Sequence, residues 1–420
     1  MTTRTEVSVP RLEDFNIAPR CGFLPEREPL EFFQEDGAGG YWPWARGIQD
    51  VANVLPKLLT TKHVRRCIAE EVEGKWSSRD NERILKLSKS AQHCLMRVVS
   101  FVGNAWVHGG IIDMWGSKAE AHVPEWLAQP WCLLAEELGT TPTLSYAWYA
   151  LHNWKLTDPS GPISLENVVL INNFLGGLDE EGFVKVHIAV EAAWANLPLA
   201  TTRAIKAVFD DDPRELEDAL KSVRDGQKAA LQEMEKMWQW CSPKVYYDRV
   251  RLHIAGWHNN PALPNGIVYE GVEKFGGKPQ QFGGETGAQS SGVPLQYALL
   301  GVQHEDDAFL KYLLGMRQHM PREHRMFIEK IEEVSRSGLS IREYVLVHRI
   351  SHHSLLKVYR ECLAMLEAFL ALHYRFVEEY IAAQEQTLAF NTTKYGTGGT
   401  HALPYLMKHL DRIRVLREET

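Results

Sequence analysis

His373 lies within ECLAMLEAFLALHYRFVEEYIAA, residues 361–383, on a stripe made of Leu363, Leu366, Phe369, Leu370, Phe376, Val377 and Tyr380. Apolar residues at three-and-four spacing form the buried face of an amphipathic helix. The helical neighbours of the imidazole are Phe369, Leu370, Phe376 and Val377, so the ring is pressed into apolar surroundings on a rigid support. A neutral ring nitrogen held in this way suits the axial position of a flat, greasy macrocycle such as haem. The bland alternative is a core histidine bonded to a backbone carbonyl, and for a lone histidine that is the commoner case.

Other residues capable of chemistry are ambiguous one at a time. Arg251 sits in the largely apolar VRLHIAGW and needs an anionic partner, either a structural carboxylate or a ligand carboxylate. Taken alone, the structural partner is the commoner one. GTGGT, residues 396–400, has the look of a phosphate loop but lacks the lysine and the preceding strand that such a loop requires. It reads as a mobile turn. FGGETGAQSS, residues 282–291, is a second Gly-Ser loop of the same kind. His348 and His352 are four apart and would share a helix face, yet no cysteine or well-spaced carboxylate completes a metal site. Six cysteines are scattered without a CxxC pair, so neither a zinc knuckle nor a disulfide framework is expected, and a reducing cytoplasm fits.

These residues must be placed by helices. The segments WARGIQDVANVLPKLL, KHVRRCIAEEV, NERILKLSKSAQHCLMRVVSFVGNAWVHGG, GFVKVHIAVEAAWANLPLATTRAIKAVF and DPRELEDALKSVRDGQKAALQEMEKMWQWC carry helical periodicity, the fourth broken near Pro198. TPTLSYAWYALHNW is expected to be helical as well, and 258–295 to be a Gly- and Pro-rich loop. Residues 1–40, with four prolines and the stretch GAGG, read as irregular. Alternating strand patterns are hard to find, so the expected class is all-α. The expected division is a small N-terminal helical domain, 1–127, and a large helical domain, 128–420. A hydrophobic content of 45% with 24% charged residues describes a globular protein. The net charge of −8 without a basic run argues against a nucleic-acid surface. No apolar run reaches about 18 residues, so no membrane span is expected.

Taken in order, the pieces resemble one family. FNIAPRCGFLP (15–25), VPEWLAQPWCLLAEELGTTPTLSYAWYALHNW (123–154), GFVKVHIAVEAAWA (182–195), VRLHIAGWHNNPALPNGIVYEG (250–271), FGGETGAQSS, MRQHMPREHRMFI (316–328), LALHYRFVEEYI and GTGGT are similar, collinearly, to the indoleamine 2,3-dioxygenases. The resemblance implies an all-helical haem b enzyme whose small domain covers the distal side. It implies insertion of both atoms of O2 into the indole C2–C3 bond of L-tryptophan or a close indole derivative, giving N-formylkynurenine, with an external reductant keeping the iron ferrous. By matching positions His373 is the proximal ligand, Arg251 pairs with the substrate carboxylate, and Thr397 is a mobile-loop residue near the amino-acid head. Tyr146, Phe183 and Tyr246 match aromatic positions around the indole. His187 stands where vertebrate members carry a small hydroxyl residue and resembles the histidine of tryptophan 2,3-dioxygenases that bonds the indole N–H. A cytoplasmic monomer is implied, with no nucleic acid or membrane as partner.

Several positions depart from the family pattern. Glu285 and Thr286 stand where small distal-loop residues are usual, and Tyr149 stands where the pocket usually has a smaller side chain. A carboxylate on a loop is expected to point to solvent, because burying an unpaired charge is costly. The alternative is that Glu285 faces the pocket and meets a cation such as a substrate ammonium. Tyr297 and Leu370 occupy the positions of a charged pair behind the haem. These departures leave open a rival reaction, single-oxygen insertion into a tryptophan derivative. A haem-binding sensor without turnover is the other rival, and Arg251, Thr397 and the pocket aromatics argue against it.

Overall fold

The stripe around His373 folds as one helix, His353–Val377, and continues into a single wide π turn, Glu378–Ala382. Leu363, Leu366, Leu370, Phe376 and Val377 on it are buried. That face packs on the helices Pro213–Glu235 and Ala402–Glu418, which supplies the stability that propensity alone does not. Pro213–Glu235 starts where its pattern says it should. Asp212 accepts hydrogen bonds from the N–H groups of Arg214 and Glu215, and Pro213 occupies the first turn. Leu178–Ala193 and Leu197–Phe209 lie against the same helix, and the break between them falls just before Pro198.

The computed structural model describes residues 8–33, 42–60, 63–109, 119–305, 308–386 and 391–420. GAGG, 37–40, lies outside the described residues. The described residues are 62% helical with 4% strand, so the fold is all-α. Among the described residues the strands form two short pairs, His122–Val123 with Val268–Tyr269 and Trp154–Leu156 with Val168–Leu170. No helix among the described residues is long and apolar enough to cross a membrane.

Two stretches differ from their expected form. The pattern that begins at NERIL is two helices, Asp80–Lys86 and Lys89–His108, because Ser88 caps the second by accepting from the N–H of Ala91. TPTLSYAWYALHNW is helical only as a π turn, Ala147–Leu151, after which Trp154 enters a strand. The expected boundary at 127/128 falls inside the helix Glu125–Glu137. Trp131 on that helix lies so close to Gly103 that a Cβ there would come within 2.2 Å of the indole. The N-terminal helix Lys89–His108 also reaches the site's scaffold. Asn104 Nδ2 donates to the His253 carbonyl at 3.0 Å, and His108 Nε2 lies 2.7 Å from the Ala255 carbonyl.

Candidate functional site

His373 faces a cavity of about 580 Å³, a size that suits a bound cofactor with a small ligand. The long helix supplies Phe369, Leu370 and His373 to its wall. Leu178–Ala193 supplies Phe183 and His187 to the same wall lining. That helix comes close because Gly182 lacks a Cβ, which would lie 1.9 Å from the Trp240 carbonyl oxygen. The π turn Tyr246–Val250 adds Tyr246. The loop after Phe282 and the turn 396–400 close the remaining side.

Burial and the nearby His187 hold the His373 imidazole down at about 4, so the ring is neutral at ordinary pH. Among the described residues neither of its nitrogens has a hydrogen-bond partner. A Cβ placed on Gly287 would stand 3.9 Å from Nε2, so any larger side chain there would crowd the space before the ring. A neutral, unpartnered imidazole facing an apolar cavity fits an axial haem ligand.

His187 is a different kind of imidazole. Its Nδ1 lies 2.7 Å from the Phe183 carbonyl oxygen. Burial lowers its pKa, which favours the neutral ring. Its ring centroid lies 4.6 Å from that of Phe183 and 5.6 Å from that of Tyr146. Tyr146 lines the cavity and is fixed from behind, its hydroxyl donating to Glu191 Oε1 at 2.9 Å. Glu191 also accepts from Ser290 Oγ at 2.7 Å and Trp194 Nε1 at 3.0 Å. Three donors offset the cost of burying that carboxylate. Sequence spacing carries no signal for the bonds from Tyr146 and Ser290, which come from segments distant from Glu191.

Arg251 is 5% exposed, yet it does not line the main cavity. It borders a small adjoining pocket that shares Gly396 and Thr397 with the cavity wall. The guanidinium donates to the Asn391 side chain and the Tyr395 carbonyl, and lies 5.5 Å over the Tyr247 ring. No carboxylate among the described residues pairs with it, and Nε has no partner. The structural carboxylate considered for Arg251 is therefore replaced by neutral acceptors. A cation so placed keeps most of its capacity to bind an anion.

Glu285 corrects the solvent-facing expectation. It is 2% exposed, lines the cavity, and burial pushes its carboxyl up to about 8. Its N–H donates to the Ile254 carbonyl at 3.0 Å, and its own carbonyl accepts from Thr397 Oγ1. These bonds hold the loop inward. Thr286 lines the cavity and accepts at Oγ1 from the N–H of Ala288. Tyr149 does not reach the cavity wall. The π turn rotates it off the face that carries Tyr146, and its hydroxyl donates to Glu180 Oε1 at 3.3 Å, behind Phe183. On the His373 side, Tyr297 and Leu370 both line the cavity, and the Tyr297 hydroxyl bonds His409 Nδ1. A neutral pair thus stands there.

A model of the family described as indoleamine 2,3-dioxygenase matches residues 11–414. Indoleamine 2,3-dioxygenase 1 of Rattus norvegicus is 32% identical over 408 residues, covering 94% of this chain and 93% of the relative. Indoleamine 2,3-dioxygenase of Saccharomyces cerevisiae is 30% identical over 450 residues, covering 96% and 93%. A 6-hydroxytryptophan 2,3-dioxygenase of Fusarium equiseti is 25% identical over 375 residues, covering 88% and 85%. With a match spanning nearly its whole length and set on this all-helical scaffold, the chain belongs to the indoleamine 2,3-dioxygenase family and is an oxidoreductase of the dioxygenase type.

Proposed function

We propose that this protein binds haem b through His373 and uses O2 to cleave the indole C2–C3 bond of L-tryptophan, giving N-formylkynurenine. The observation that carries the reading is that two imidazoles held neutral by burial, His373 and His187, line one largely apolar cavity. Haem, when bound, supplies the activation of O2, and an external reductant keeps its iron ferrous. The chain's own residues bind, orient and exclude water. His187 Nε2 accepts the indole N–H. Phe183, Tyr146 and Tyr246 hold the ring and keep the site dry. Arg251 reads the carboxylate by a forked contact after the 396–398 backbone shifts. Thr397 spends its hydroxyl on the Glu285 carbonyl, so its part is to hold the turn beside the amino-acid head. Thr286 shapes the same loop, and Tyr149 supports Phe183 from behind. Residues 1–127 would cover the distal side, and the protein would act as a cytoplasmic monomer.

A second reading keeps the haem and the reaction but takes a ring-modified tryptophan, and the Fusarium relative's name favours it. One experiment tests both. The haem-reconstituted protein is given ascorbate, a redox dye, O2 and either L-tryptophan or a hydroxytryptophan, and the product is weighed. Two added oxygen atoms are expected. One added atom, or none, would overturn the cleavage reading.

A further inference from the structure

Glu285 is the buried carboxyl for which this reaction scheme has no part. Its side chain lines the cavity, and among the described residues its oxygens have no hydrogen-bond partner. The tyrosines around it do not fill that need: the Tyr146 and Tyr149 hydroxyls donate to Glu191 and Glu180. The loop that carries the carboxyl is held in place. Its backbone is joined to Ile254 and Thr397, and the neighbouring Gly284 N–H also donates to the Thr397 carbonyl, at 3.2 Å. Gly256 N–H donates to that same carbonyl at 3.3 Å. The end of the Arg251–Ile254 helix, Glu285 and the 396–400 turn are therefore one hydrogen-bonded knot.

Arg251 belongs to the same knot, and it carries the opposite charge. Tyr246 lies within electrostatic reach of both: burial raises the pKa of its hydroxyl, Glu285 raises it further and Arg251 lowers it. Two buried ionisable groups of opposite sign, neither in an ion pair among the described residues, are thus carried by one hydrogen-bonded knot at the edge of the cavity. An α-amino-acid zwitterion presents the complementary pair of charges on two groups attached to one carbon atom. Burying either group without its counterion is costly, and one ligand would satisfy both.

We propose that Glu285 binds the ammonium group of an α-amino-acid substrate, opposite the carboxylate at Arg251, so that the site selects free amino acids over acylated or deaminated indoles. The inference rests on the indole-dioxygenase reading above. Burial without a cation keeps the carboxyl protonated up to about pH 8, and an ammonium in contact would favour its ionised form.

The test uses haem-reconstituted full-length protein as wild type, Glu285→Gln and Glu285→Asp. Two ligands are compared: L-tryptophan and indole-3-propionate, which keeps the ring and the carboxylate but lacks the amine. The readouts are kcat/KM and the Kd from the Soret shift on binding. Wild type should prefer L-tryptophan. In Glu285→Gln the preference should fall roughly 10–100-fold, chiefly through KM, as expected for losing one charge-assisted hydrogen bond. Glu285→Asp should recover part of it. An unchanged preference, or an equal loss on both ligands, would overturn the proposal. If wild type turns over no indole, the dioxygenase reading fails, and the ratio of the two Kd values still decides whether Glu285 reads the amine.

Discussion

His187 Nδ1 lies 2.7 Å from the carbonyl oxygen of Phe183, one turn back on the same helix. A carbonyl oxygen accepts only, so Nδ1 carries the proton and Nε2 keeps its lone pair. The ring is thereby set as an acceptor on the cavity wall. His187→Ala should lower kcat/KM for L-tryptophan about 3- to 10-fold more than for 1-methyltryptophan, the range of one neutral hydrogen bond. Steady-state kinetics on the two substrates decides it. Equal losses would assign His187 to packing.

His373 should be the protein's bond to haem. Its nitrogens find no partner among the described residues, and its ring is neutral. His373→Gly should lose most of the Soret absorbance on purification or reconstitution, and added imidazole should restore part of it. Gly287→Val, which places bulk in front of the ring, should lower haem content without removing the ligand. Full haem content with an unchanged ferrous spectrum in His373→Gly would sink the assignment.

The His373 stripe is legible because burial of a helix face leaves a 3.6-residue period in the sequence. The all-α class follows from the same signal repeated along the chain. What encloses the site is less regular. The π turns at Ala147–Leu151, Tyr246–Val250 and Glu378–Ala382 adjoin the cavity walls, and a π turn leaves no period of its own. That is why Tyr149 reads as a pocket residue and yet stands behind the pocket face. The inward turn of Glu285 depends on bonds to Ile254 and Thr397, and Thr397 is 112 positions away. No local rule could report such bonds. Arg251 is legible as a cation needing a partner, but not as one held by Asn391 and Tyr395.

Arg251 should read the substrate carboxylate. It is buried without an ion-pair partner among the described residues. A forked contact in a partly desolvated site contributes about 2–4 kcal/mol. Arg251→Ala should therefore lose roughly 30- to 1000-fold in kcat/KM for L-tryptophan at about 1.4 kcal/mol per decade. Tryptamine, which lacks the carboxylate, should be affected far less. The same loss on both substrates would make the arginine a strut for the 391–396 segment.

Arg97 should matter to stability rather than chemistry. It is fully buried and bonds Asn172 Oδ1, the His152 carbonyl and the Leu30 carbonyl, each at 2.9 Å. Arg97→Met keeps the apolar stem and strands these acceptors, each costing about 1–3 kcal/mol. The urea midpoint of the haem-loaded protein should fall by an amount corresponding to about 3–6 kcal/mol. Arg97→Lys should recover little, because an ammonium cannot reproduce the fork. An unmoved midpoint would mean that water takes the guanidinium's place.

Glu285 should also leave a mark on the pH dependence of stability. Its carboxyl is raised from an ordinary 4.5 to about 8 by burial. Between those values the unfolded chain has released this proton and the native chain still holds it. The native state then binds more protons, so stability falls as pH rises across that window and levels off above about 8. Glutamine is neutral throughout and lacks this slope. Every other carboxylate, the buried Glu180 and Glu191 included, is common to the two proteins, so a direct comparison isolates position 285. Glu285→Gln should gain on wild type by an amount on the order of a few kcal/mol between about pH 5 and pH 8, read as a widening gap in denaturation midpoints. Saturating L-tryptophan should narrow that gap, because an ammonium beside the ionised carboxylate offsets its desolvation. Parallel pH profiles for the two proteins would show that the carboxyl titrates normally and reaches water.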